Sequence, residues 1–205
     1  MIIDFHTHVF PEKIASQTIT ALAEAGGTTP YSNGTFDGLM EKLKDSGVSI
    51  AVNLPVLTKP TQFDSIFRFA SEINSHAIGQ TKIISFMGMH PDIEDIEGDI
   101  KKIHEANFLG IKLHPDYQNT FFDDEKYVKI ISEAKKYSLT VVTTPAPILH
   151  TQESRSDARQ DVGIRIHSTN AYDNMQSYRT LADSRKLLQL IFLFCYNILL
   201  FIVIL

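Results

Sequence analysis

The chain has 205 residues, 43% hydrophobic and 21% charged, with a formal net charge of −5. That length can bury one sizeable core, and an acidic balance without a Lys/Arg cluster argues against a nucleic-acid surface. Its one cysteine, Cys195, excludes an intrachain disulfide and fits a reducing, cytoplasmic compartment, and MIIDFHTHVFPEK lacks the basic and apolar regions of a secretory leader.

Residues 2–8 read as a short apolar strand. A helix is predicted over 11–25, with Pro11 at its start and Gly26-Gly27 at its end. After the YSNG loop (31–34), Thr35 can cap a second helix whose apolar stripe is Phe36, Leu39, Met40 and Leu43. The β-branched run near 48–54 is a second strand, and 61–76 carries Phe63, Ile66, Phe67, Ala70 and Ile73 at helical spacing. A third strand is predicted at 82–88 and a helix at 91–107. A fourth strand follows at 109–114, then a helix capped by Asp123 or Asp124 and running to Tyr137. The fifth strand is LTVVT at 139–143. Strands alternating with helices of this length predict βαβ units and a parallel sheet, so the fold class is α/β. Beyond Thr143 the alternation stops: HTQESRSDARQDVGIR (150–165) is polar and without period, HSTNAYDNMQSYRT (167–180) is no better, and little regular structure is expected over 144–186.

Two groups of residues can carry chemistry. Asp4, His6 and His8 stand at period two in the first strand, so their side chains are expected on one face. Two imidazoles one strand step apart can share a divalent metal, a pairing suited to Zn, Fe, Mn or Ni. Lys112 and His114 share a face of the fourth strand and reach its C-terminal rim, where either can meet substrate or metal. His90 is read as structural, fixing the turn into Pro91; Thr58 and Lys59 read as surface loop, and His76 and His104 as solvent-exposed helix positions. The chain has no Gly-rich phosphate loop, no Gly-x-Ser-x-Gly elbow and no nucleophilic cysteine with a partner.

DFHTH (4–8), GMHPD (88–92), GIKLHPDYQ (110–118) and the strand VVT (141–143) resemble the amidohydrolase superfamily. Within it they are most similar to the amidohydrolase-related branch that includes aminocarboxymuconate-semialdehyde decarboxylase. The resemblance covers 1–143. It implies a (β/α)8 TIM-barrel type of fold, here truncated after the fifth strand. It also implies one divalent metal, with Zn favoured, and a small carboxylated or amide-bearing substrate that is hydrolysed or decarboxylated. His6 and His8 match the first two metal ligands; Lys112 and His114 are substrate contacts of lower rank. The family pattern puts a third histidine in Val-Val-x-His-Ala-Gly at the end of the fifth strand and an aspartate after the eighth. Here Thr144-Pro145-Ala146 stand where His-Ala-Gly would, and no sixth, seventh or eighth strand is evident.

Back-translation from Thr143, read from the third base of each codon, permits His-Ala-Gly-Thr-Asp-Pro-Ala-Tyr-Pro-Gly. One lost base in that codon would therefore place 144–205 outside the family frame. The chain then divides into an N-terminal hydrolase-barrel part, 1–143, and a tail, 144–205, ending in the hydrophobic segment 187–205. That segment is expected to be helical; it just reaches the length of a membrane span, but chance translation is the favoured origin. The alternative to an impaired enzyme is a catalytically inactive barrel fragment, membrane-associated through the tail. A homodimer that completes the sheet is also open.

Overall fold

The computed structural model describes residues 2–27, 29–76, 82–121 and 124–143, together with strands at 189–195 and 198–204. It divides into two compact units, one made of Met1–Pro55 and Phe63–Met87, the other of Val56–Gln62 and Gly88–Leu205.

The first unit holds β1 (Ile2–Thr7), α1 (Glu12–Gly26), α2 (Phe36–Lys44), β2 (Val48–Asn53), α3 (Phe63–Ser75) and β3 (Lys82–Ser85). The three strands form one parallel sheet in the order β1-β2-β3. Pro11 lies just outside α1 as its N-cap, and Gly27 ends the helix at φ 58, a left-handed conformation that glycine adopts without strain. Thr35 caps α2 as expected, its Oγ1 accepting a hydrogen bond from the Gly38 N–H at 3.0 Å. Replacing Thr35 with alanine should lower stability by about 1 kcal/mol in urea unfolding, the usual loss when a helix cap is removed. The apolar stripes predicted for these helices close the core: Met40 and Leu43 from α2 and Ile73 from α3 pack with Val9, Ala51 and Ile83.

The second unit opens with a 3-10 turn (Pro60–Gln62) and contains α4 (Ile96–Glu105), β5 (Gly110–Leu113), α5 (Glu125–Lys136) and β6 (Thr140–Thr143). β5 and β6 are parallel. Its core joins Ile100 and Ile103 of α4, Ile111 and Leu113 of β5, and Tyr127 and Ile130 of α5, each with 0% exposure. Of the two aspartates proposed as the α5 cap, Asp124 is the N-cap, accepting from the Lys126 N–H at 2.9 Å.

Three expectations are corrected. The strand expected at 82–88 is two strands, β3 and β4 (Met87–Gly88), interrupted at Phe86. The Phe86 N–H donates to Asn53 O at the end of β2, whereas the Met89 N–H donates to Lys112 O on β5, so the two ends of the segment belong to different ladders. The helix expected from 91 starts at Ile96, because the Asp95 carboxylate takes the Gly98 N–H and caps the helix there. The described residues of the hydrophobic segment 187–205, expected to be helical, are strands. β7 (Gln189–Cys195) and β8 (Ile198–Ile204) pair antiparallel, and β8 pairs antiparallel with β6, giving the second sheet the order β4-β5-β6-β8-β7. No helix among the described residues is long and apolar enough to cross a membrane. The expectation of little regular structure in 144–186 lies outside the described residues, as do Thr144, Pro145 and Ala146.

Candidate functional site

His6 is the penultimate residue of β1, and His8 follows the strand. Their Nε2 atoms stand 2.9 Å apart, with the rings edge to face. At that distance the two nitrogens share a hydrogen bond, one donating to the other, and a cation would have to displace its proton to be held by both. With metal–nitrogen bonds of about 2.0–2.1 Å, that separation corresponds to a ligand–metal–ligand angle of about 90°, so the pair fits a shared divalent cation. Among the described residues no group of three His, Cys, Asp or Glu side chains gathers around one point.

The backbone here departs from a plain strand. Asp4 pairs with Ala51 and Thr7 with Asn53, so three steps along β1 match two along β2. The extra residue is a bulge, the device that re-aims side chains at a strand end. In the bulge the His6 N–H turns to Asp4 Oδ1 at 3.1 Å. Asp4 thus holds the backbone of His6. Thr7, between the two histidines, is buried and donates from Oγ1 to Val52 O at 2.9 Å. Asn53, with 0% exposure, accepts from the Val9 N–H at 2.9 Å and donates to Ser85 Oγ at 2.9 Å. His6 and His8 are therefore carried on a backbone fastened on both sides. The bulge and Asn53 left no mark in the hydrophobic pattern of the sequence; both depend on the neighbouring strand.

In the second unit, Lys112 lies on β5 with 0% exposure, and its Nζ has no hydrogen-bond partner among the described residues. Burial pushes its pKa down to about 7, because the ammonium loses water and gains nothing in return. His114 follows two residues on. Its ring stacks on Tyr117, with centroids 4.0 Å apart and planes 8° from parallel, and Nδ1 accepts the Tyr117 N–H at 3.4 Å. That contact leaves the proton on Nε2. Burial, then the charge of Lys112, lowers the His114 pKa to about 4, against the opposing pull of Asp116. His114 is accordingly a neutral Nε2–H donor near pH 7.

His90 is structural, as expected. It is 5% exposed, its Nδ1 accepts the Asp92 N–H at 3.1 Å, and its side chain also hydrogen-bonds the Thr58 backbone. Thr58, Lys59, His76 and His104 are exposed. A concave pocket of about 550 Å³ is lined by Thr58, Lys59, His90, Asp92, Gln118 and Lys126, among others, and the Lys126–Asp92 ion pair lies in its wall at 2.6 Å. Neither Lys112 nor His114 lines it.

No protein-family model matches the chain, and no curated protein matches it in sequence. Solved structures do match. IDCase from Metarhizium anisopliae, in its apo form, is similar with a TM-score of 0.53 at 15% identity, over 71% of this chain and 50% of that one. The 5-carboxyvanillate decarboxylase LigW from Sphingomonas paucimobilis is similar with a TM-score of 0.48 at 14% identity, over 76% of this chain and 55% of that one. A candidate amidohydrolase from Staphylococcus aureus is similar with a TM-score of 0.47 at 18% identity, over 82% of this chain and 53% of that one. The chain spans about half the length of these structures. At 15% identity the likeness to IDCase shows a shared α/β fold.

Proposed function

We propose that the chain descends from metal-dependent hydrolases or decarboxylases of the amidohydrolase-related branch, acting on a small carboxylated or amide-bearing molecule, and that the activity is impaired here. The convergence of His6 and His8 Nε2 to 2.9 Å carries this reading. The match of DFHTH and GIKLHPDYQ to the branch, and the α/β fold shared with IDCase, support it. The barrel type of fold and Zn as the favoured metal come with the same proposal.

His6 and His8 would hold the metal. Bound there, a divalent cation acidifies a water ligand and polarises a carbonyl. The chain's own residues have separate tasks. Thr7 and Asn53 keep the two imidazoles facing one point. On the second unit, taken by itself, the fixed His114 Nε2–H is a donor suited to a substrate oxygen, and Lys112, fully buried beneath the same strand end, ranks below it as a contact. The impairment rests on Thr144, which stands where the family pattern has a third histidine. A catalytic site of this kind needs about three protein ligands beside its water.

Purified protein loaded with Zn, Mn or Co should show no turnover above background with amide, lactone and carboxylated dienoic substrates. Turnover that disappears in His6→Ala would contradict the impairment and keep the family chemistry. Turnover that persists in His6→Ala would contradict both.

A further inference from the structure

Gln118 is 6% exposed, and its amide spends every contact on a different part of the second unit. Nε2 donates to Leu57 O at 2.7 Å and to Met89 O at 2.6 Å. Oε1 accepts the His114 N–H at 3.1 Å and the Tyr127 hydroxyl. The buried Tyr127 hydroxyl also hydrogen-bonds the His114 backbone, which ties α5 to the same point. In addition, the Gln118 N–H donates to His114 O at 3.0 Å, so residues 114 and 118 are joined by two hydrogen bonds running in opposite directions. The side chain thus adds a clamp on the His114 N–H to a turn whose backbone is also held by the Gln118 and Thr120 N–H groups on Pro115 O, at 3.2 and 3.0 Å; within this turn the Tyr117 N–H meets His114 Nδ1 and the Tyr117 ring lies over the imidazole.

We propose that Gln118 is a positioning residue for His114: by closing the turn from both ends it fixes the imidazole in one orientation and one tautomer, with Nε2–H as the outward donor. The value of that donor rests on the reading of His114 as a substrate contact; the positioning does not, and is measured on the free protein. An amide is suited to the task. Two acceptors, Leu57 O and Met89 O, need an NH₂ with two protons, while His114 N–H and Tyr127 O–H need an oxygen with two lone pairs. Glutamate matches Gln118 in shape but offers no donor to the two carbonyls. Methionine matches it in length and offers neither donor nor acceptor. Lys112 and Asp116 are the charged groups that act on the imidazole, and both remain in these variants.

The test is the ¹⁵N spectrum of the His114 imidazole in the full chain. The wild type should show a single Nε2–H tautomer with Nδ1 unprotonated, and it should titrate well below an exposed histidine. Gln118→Met keeps the backbone bonds of the turn and removes only the side-chain clamp; in the folded variant the Tyr117 N–H contact should loosen, so that both tautomers appear and the His114 pKa rises by about one unit or more as water reaches it. Tyr127→Phe removes one hydrogen bond from Gln118 Oε1 and serves if the methionine variant does not fold; a smaller shift in the same direction is expected. An unchanged tautomer and titration in either folded variant overturns the proposal. Loss of ligand binding in His114→Ala tests the functional reading alone and leaves this result untouched.

Discussion

Replacing Lys112 with methionine should raise the unfolding free energy at pH 7 by about 4 kcal/mol, since each pKa unit is worth about 1.4 kcal/mol. The ammonium is fully buried, without a hydrogen-bond partner among the described residues, and its pKa falls from 10.5 to about 7. Methionine fills nearly the same volume, so no cavity offsets the gain. The sign follows from proton counts. Between about pH 7 and 10.5 the unfolded chain holds a proton at this lysine that the folded chain has released. Stability of the wild type therefore climbs as pH rises through that window, and is lowest below it. Urea unfolding of both proteins from pH 6 to 10 should show the largest gap at the acid end, closing towards pH 10.5. Equal stability at pH 7, or a gap independent of pH, would contradict this account of Lys112.

Asn53→Ala should destabilise the chain by about 2 kcal/mol, within the cost of about 1–3 kcal/mol for leaving one buried polar group without a partner. That group is the Val9 N–H, bonded to Asn53 Oδ1; of the two bonds lost, the second costs less, because Ser85 Oγ still donates to Phe86 O at 2.9 Å. The variant should also weaken metal binding, because the first of those bonds fastens the backbone directly after His8. Thr35→Ala is the control: a smaller stability loss at a helix cap, with no change at the histidines. If Asn53→Ala lost stability yet bound metal as the wild type does, the fastening would be irrelevant to the pair.

What could be read from the sequence were the features with local causes. The Thr35 and Asp124 caps, the Gly27 stop and the apolar stripes of α2 and α3 depend on neighbours a few residues away, and the structure has them where the pattern put them. The pairing of His6 with His8 follows from strand period, although a bulge at their own strand end was hidden. The break at Phe86 was hidden because a continuous apolar run does not tell which strand each residue pairs with. Gln118 was hidden for a similar reason: its partners at 57 and 89 are distant in sequence. The tail shows the known ambiguity of short apolar runs. Leu, Ile and Phe without a polar period suit a helix or a strand alike. The available signals were the β-branched content of 198–204 and the polar Asn197 dividing the run, and β7 and β8 pair as antiparallel strands.

The pairing of His6 and His8 around one cation is the central claim, and ¹⁵N-histidine NMR during a Zn titration tests it most directly. The account predicts that the Nε2 resonances of both residues move together and saturate at one Zn per chain, with weaker affinity than a complete structural zinc site. In His6→Ala the response of His8 should vanish. Contradiction would be a titration in which neither histidine responds, or one in which His8 responds unchanged after His6 is removed.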